Sequence, residues 1–100
     1  MPSYYLTNRA VEDLSQIWEY TFENWSENQA DKYYNNLIVN CKSIAQNPDL
    51  GKNYEGITKK LFGLKINRHI IFYRIISLDE VEITRFLHER MDLKSRMSDK

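Results

Sequence analysis

Asn67-Arg68-His69-Ile70-Ile71-Phe72-Tyr73-Arg74, followed by Ile83-Thr84-Arg85-Phe86-Leu87-His88-Glu89-Arg90-Met91-Asp92, decides the fold of this chain. Both runs are rich in β-branched and aromatic residues, and both are studded with cations. Only Ser77-Leu78-Asp79-Glu80 lies between the strands they imply, so the simplest reading is a β-hairpin turning through Leu78-Asp79. That register sets His69 opposite His88. It places Arg74 and Arg85 diagonally on one face, beside Ile70, Phe72, Ile76, Val81, Ile83 and Leu87, and leaves Ile71, Tyr73, Ile75 and Phe86 on the other. Both faces are then apolar, yet only one can pack against the rest of a small domain. The second face therefore calls for cover by another chain.

Upstream, Ser3 to Thr7 reads as a short Tyr-rich strand, and Thr7 or Asn8 can cap a helix that begins near Arg9. Val11, Leu14, Ile17, Trp18, Thr21, Phe22 and Trp25 recur at the spacing of one helical face. Ser26-Glu27-Asn28-Gln29 has the form of a capping box, so a second helix starts there, with Ala30, Tyr34, Leu37, Cys41, Ile44 and Ala45 as its stripe. Pro48 ends it by Asn47, because the residue before a proline is driven out of the helical region. Leu50 to Lys60 reads as a polar loop and Leu61 to Ile66 as a strand. The expected fold is α+β, a helical hairpin packed on a small, mainly antiparallel sheet in the order β-α-α-β-β-β. It forms one domain over residues 1–92, with a flexible C-terminal tail over 93–100.

The formal charge of zero conceals a polarity. Met1 to Ile57 holds four basic and eight acidic residues, and Thr58 to Lys100 holds ten basic and six acidic, so −4 faces +4. The sheet-forming part is the seat for an anionic partner, though its charge is far below that of a dedicated DNA-binding domain. Met1-Pro2-Ser3-Tyr4-Tyr5 has no signal-peptide character, and no apolar run reaches the ~20 residues of a membrane span. With a single cysteine no intrachain disulfide can form, which agrees with a cytoplasmic protein.

Trp18 and Trp25 read as core aromatics, and Cys41 as a small buried apolar side chain. His69 and His88 have no third ligand in view, so they read as hydrogen-bonding residues at a sheet end rather than a metal site. Arg74 and Arg85 on an apolar face need either a partner's carboxylates or an acidic residue of a helix, and the sequence leaves both open.

Four segments in order resemble the ParE toxins of the RelE/ParE superfamily: Ala10-Val11-Glu12-Asp13-Leu14-Ser15-Gln16-Ile17-Trp18-Glu19-Tyr20-Thr21, Ala45-Gln46-Asn47-Pro48-Asp49-Leu50-Gly51, Arg68 to Arg74, and Leu87 to Asp92. The resemblance implies a toxin of a type II toxin-antitoxin system that poisons DNA gyrase by binding rather than by chemistry. It implies a cognate ParD-like antitoxin whose tail would cover the spare sheet face; without it, self-association is expected. No cofactor is implied. The alternatives are a RelE-like ribosome-dependent mRNA endoribonuclease and an inactive interaction module. Lys65, His69, Arg74, Arg85, His88 and Arg90 have the chemistry for RNA cleavage. However, Ile70 stands where such ribonucleases carry an arginine, and no tyrosine follows Tyr73. The candidate contacts with antitoxin or target are Arg68, His69, Arg74, Arg85, His88 and Arg90.

Overall fold

The computed structural model describes residues 1–91 together with Leu93 and Met97. Strand β1 (Ser3–Leu6) leads into helix α1 (Asn8–Asn24), which turns back as α2 (Glu27–Gln46). A 3-10 turn (Pro48–Leu50) and a two-residue strand β2 (Lys52–Asn53) precede β3 (Phe62–Ile66), β4 (His69–Ser77) and β5 (Glu80–His88). The sheet runs in the order β1-β5-β4-β3-β2. It is antiparallel except for β1, which lies parallel to β5 with Ser3 opposite Glu80. The expected α+β fold is therefore present, with β2 added inside the stretch read as a loop. Gly63 admits β2 and the Tyr54 ring, since a Cβ there would sit 2.7 Å from that ring.

The helix caps agree with the sequence signals. Thr7 Oγ1 accepts from the Ala10 amide at 3.1 Å, and Ser26 Oγ accepts from Gln29 at 3.0 Å, each relieving a donor that the first helical turn leaves unpaired. Ala10 and Leu14 of α1 and Leu37, Cys41 and Ile44 of α2 pack on Ile71, Tyr73, Val81, Ile83 and Phe86. Full burial of each Leu or Ile here contributes about 1.5–3 kcal/mol. Cys41 lies in this core, where burial pushes its thiol up to about 12 and leaves it unreactive.

The face assignment of the hairpin needs one correction. His69 is opposite His88 and Phe72 opposite Arg85, but Tyr73 is opposite Ile83, so Thr84 is an extra residue in β5. The register returns between Ile75 and Ser77, leaving Ile76 as a second irregularity. An extra residue reverses the facing of the strand on its far side. Val81 and Ile83 accordingly point to the helices rather than away from them.

The reverse face is also not bare. Ile70, Phe72, Leu87 and Leu61 form a second buried cluster, covered by Tyr54 and Ile57 of the β2–β3 connection and by Leu93 and Met97. The Tyr54 ring meets Phe72 edge-on at 5.1 Å. The chain itself supplies cover that the apolar pattern assigned to another chain, which removes the sheet-face argument for self-association. Of the segment read as a tail, only Leu93 and Met97 fall among the described residues, and both are half-buried here.

The stripe of α1 is the third correction. Ala10, Asp13 and Leu14 are buried, whereas Trp25 is 74% exposed and Val11 and Phe22 are exposed as well. Trp18 stacks on Phe22 at 5.2 Å, and its indole N–H donates to Asp31 at 3.0 Å. Val11, Trp18, Phe22 and Trp25 form their own row beside the buried one, because an apolar arc wider than the contact with the sheet leaves its outer edge in water.

Candidate functional site

The six predicted contact residues spread along the β4–β5 ladder. Arg68, His69, His88 and Arg90 gather where β4 begins and β5 ends; Arg85, opposite Phe72, lies three residues before His88, and Arg74, opposite Glu82, lies beyond it. Five residue steps along β4 lead from His69 to Arg74, about 16 Å.

At the first end, His69 and His88 are cross-strand partners with their rings 5.3 Å apart and nearly perpendicular. His69 Nδ1 lies 2.6 Å from Tyr33 Oη, which also lies 3.3 Å from the Ile66 carbonyl oxygen. Burial first, and the neighbouring His88 second, push His69 down to about 4, against weaker upward pulls from Asp13 and Glu89. His69 is therefore neutral at pH 7. The Tyr33 hydroxyl has one proton for two neighbours, the Ile66 carbonyl, which can only accept, and Nδ1, whose role follows the tautomer of the ring. His88 Nδ1 accepts from the Arg90 amide at 3.1 Å. Outside the pair, Lys65 meets Glu89 at 2.7 Å, a hydrogen bond that lowers the Glu89 carboxyl, while the Arg68 and Arg90 side chains extend into solvent. The histidines close the sheet end by hydrogen bonding, as their sequence context suggested.

Further along the ladder, Arg85 Nε and Nη2 donate to the two Asp13 oxygens at 2.7 and 3.0 Å, and the Phe86 amide donates to Asp13 at 3.0 Å. Both side chains of the pair are about nine-tenths buried. Asp13 thus uses α1 to pin the stretch of β5 that β1 does not reach, and it is the acidic helix residue that one of the two readings of Arg85 required. Arg74 Nη2 lies 3.5 Å from Thr58 Oγ1, and Arg74 is opposite Glu82. Arg74 and Arg85 line a common cleft with Arg9, Thr58, Glu82 and Thr84.

Sequence reasoning missed Tyr33, Asp13, Arg9 and Thr84. Asp13 had a signal, a carboxylate inside the buried row Ala10, Asp13, Leu14; Tyr33 and Thr84 had none, since the first depends on the crossing of α2 over the sheet and the second on a bulge. Among the described residues no group of three or more His, Cys, Asp or Glu side chains is placed to hold a metal, and no helix is long and apolar enough to cross a membrane.

Comparison with known proteins places this geometry. The profile of the ParE toxin of the type II toxin-antitoxin system parDE matches residues 4–93. The chain belongs to the ParE toxin family. It is 32% identical to Toxin ParE1 of Caulobacter vibrioides over 97 residues, covering 97% of this chain and 99% of that one. It is likewise 32% identical to Toxin ParE1 of Mycobacterium tuberculosis over 94 residues, covering 93% and 96%. A solved structure described as the chromosomal ParDE TA system from P. aeruginosa shares the fold at 19% identity, with a TM-score of 0.76 over 88% of this chain and 96% of that one.

ParE membership makes this chain the toxin half of a two-protein system. Within it, the positions that separate the ParE from the ribonuclease pattern now have structural content. Ile70 is 5% exposed and packs in the second cluster, so an isoleucine fills the place of a phosphate-holding cation. Tyr73 is also buried; its hydroxyl donates to the Pro48 carbonyl at 2.6 Å and accepts from the Gly51 amide at 2.9 Å.

Proposed function

We propose that this ParE-family toxin acts by binding DNA gyrase and stabilising its cleaved complex with DNA, and that a ParD-like antitoxin holds it inactive. Family membership over residues 4–93 carries the reading. The first end of the ladder supports it. General base catalysis at neutral pH is best served by a group titrating near 7, and a transferring phosphate needs a fixed cation. His69, titrating near 4, is a weak base, and Ile70 supplies no charge. Arg68, His69, His88 and Arg90 then serve as contacts for target or antitoxin at one end of the β4–β5 ladder, and Arg74 and Arg85 further along it.

The test is a supercoiling and DNA-cleavage assay with purified gyrase and this protein, beside an RNA-cleavage assay on translating ribosomes. Inhibited supercoiling with intact message is the expected result. Cleaved message with normal supercoiling would transfer the function to ribonuclease chemistry. Normal growth on induced expression, with both assays blank, would leave an interaction module.

A further inference from the structure

Helix α1 carries three parallel stripes, each about 100° round the axis from the one before. Ala10, Leu14, Ile17 and Thr21 form the inward stripe, buried or half-buried. Val11, Trp18, Phe22 and Trp25 form the second, with Val11 48%, Phe22 45% and Trp25 74% exposed. Glu12, Glu19 and Glu23 form the third, and all three are exposed. We propose that this outer face of the helical hairpin docks a cationic amphipathic helix of a partner protein. The proposal is independent of the gyrase and antitoxin readings.

Two observations select that occupant, and charge is the first. Between Arg9 and Lys32 the chain has six Asp or Glu and no Lys or Arg. Asp13 is buried against Arg85, whereas Glu12, Glu19, Glu23, Glu27 and Asp31 are exposed. Among the described residues no ion pair holds Glu19, Glu23, Glu27 or Asp31. The Trp18 indole N–H donates to Asp31 of α2 at 3.0 Å, and Glu27 lies one turn before Asp31 on the same side of that helix. The aromatic row therefore runs between acids of α1 and acids of α2. Nucleic acid, anionic lipid or the same face of a second copy would set negative charge against negative charge. Lysines and arginines would instead meet carboxylates on both flanks and aromatic ring faces between them.

Shape is the second. From Val11 to Trp25 the row spans fourteen residue steps of α1, about 21 Å or four turns. Its members stand 7, 4 and 3 residues apart, the intervals at which a second helix inserts its own apolar side chains. Both walls are helices whose backbone groups are already paired, so an extended peptide gains no main-chain hydrogen bonds, while a helix brings its own. The stack of Trp18 on Phe22 at 5.2 Å and the bond to Asp31 hold the row in place before a partner arrives, which lowers the ordering cost of binding.

Trp18 and Trp25 are the only tryptophans, so the emission of the full chain reports on this face directly. It is titrated with three synthetic peptides of equal length: a Leu/Lys sequence of helical period, the same residues in scrambled order, and a Leu/Glu counterpart of the first. A saturable blue shift with the first peptide alone is expected. Phe22→Ala should weaken that binding about tenfold, and Glu19→Gln combined with Glu23→Gln about fivefold at low salt, both proteins remaining folded. Equal binding of the scrambled or the acidic peptide, no saturable shift, or unchanged affinity in the folded variants would each overturn the proposal. A blue shift on raising protein concentration alone would give the face to a second copy, and one with phosphatidylglycerol vesicles alone would give it to a membrane; either result also overturns it.

Discussion

The helix-covered face of the sheet and its loop-covered face are held by different means. On the first, two helices of 17 and 20 residues lay a continuous buried row over Ile71, Tyr73, Val81, Ile83 and Phe86. On the second, a connection without regular structure, together with Leu93 and Met97, covers Ile70, Phe72, Leu87 and Leu61. Helices bring side chains already fixed in relative position; a loop must be ordered residue by residue, at about 1–2 kcal/mol each for the backbone alone. The second face is therefore the one that opens first, and the cleft with its arginines is on that side.

The sharpest break in this contrast is the residue that serves both sides. Asp13→Ala removes the carboxylate that accepts from the mostly buried Arg85 and from the Phe86 amide and should destabilise the protein by about 3–5 kcal/mol in urea denaturation. Truncations within each face come next. Leu37→Ala, under the helices, should lose about 3–4 kcal/mol, and Leu87→Ala, under the loop, about 2–3, because a loop collapses into a cavity more readily than a helix. Equal losses would abolish the distinction. Amide exchange should show the same order, with Ile70 and Phe72 less protected in the Leu87→Ala protein.

A smaller effect is expected where the two covers meet. Tyr73→Phe removes the hydroxyl that ties Pro48 and Gly51 to β4, at a cost of about 1–2 kcal/mol, and should loosen the loop rather than the helices in limited proteolysis. Last is the pH dependence of His69. Its pKa is lower in the fold, about 4, than its ordinary 6.5, so the unfolded chain binds more protons between those values. Its contribution is fully present above pH 6.5 and declines as pH falls toward 4. His69→Gln should flatten that part of a stability–pH profile relative to wild type, and an unchanged slope would show that the ring titrates normally.

Much of this architecture was legible in the sequence. β4 and β5 form the expected hairpin, Thr7 and Ser26 cap the helices, and His69 faces His88 because turn length fixes register. What escaped has a physical reason in each case. The Thr84 bulge carries no glycine or proline to announce it, so parity failed for Val81 and Ile83. The row Val11, Trp18, Phe22 and Trp25 has helical spacing, but spacing does not tell how far a sheet extends beneath a helix. The polar-looking segment Leu50 to Lys60 covers a face through Tyr54 and Ile57, too sparse an apolar content for periodicity to register. At the sites, the six cations and histidines were found by residue type, while their placement along the ladder depended on the bulged register and on the pairing of Arg85 with Asp13.

The parallel pairing of β1 with β5 has a consequence for timing. Ser3 waits for Glu80, and Thr7 for the carbonyls of Ile83 and Thr84, so the sheet closes through contacts about as distant in sequence as the chain allows. During synthesis the helical hairpin emerges long before the strands on which it packs. Contacts of such separation form late, after the closure entropy of the whole intervening loop has been met. A chain that has not yet exposed β5 lacks the Arg74–Arg85 cleft and the His69–His88 pair alike, so all of these groups come together only with the last strand.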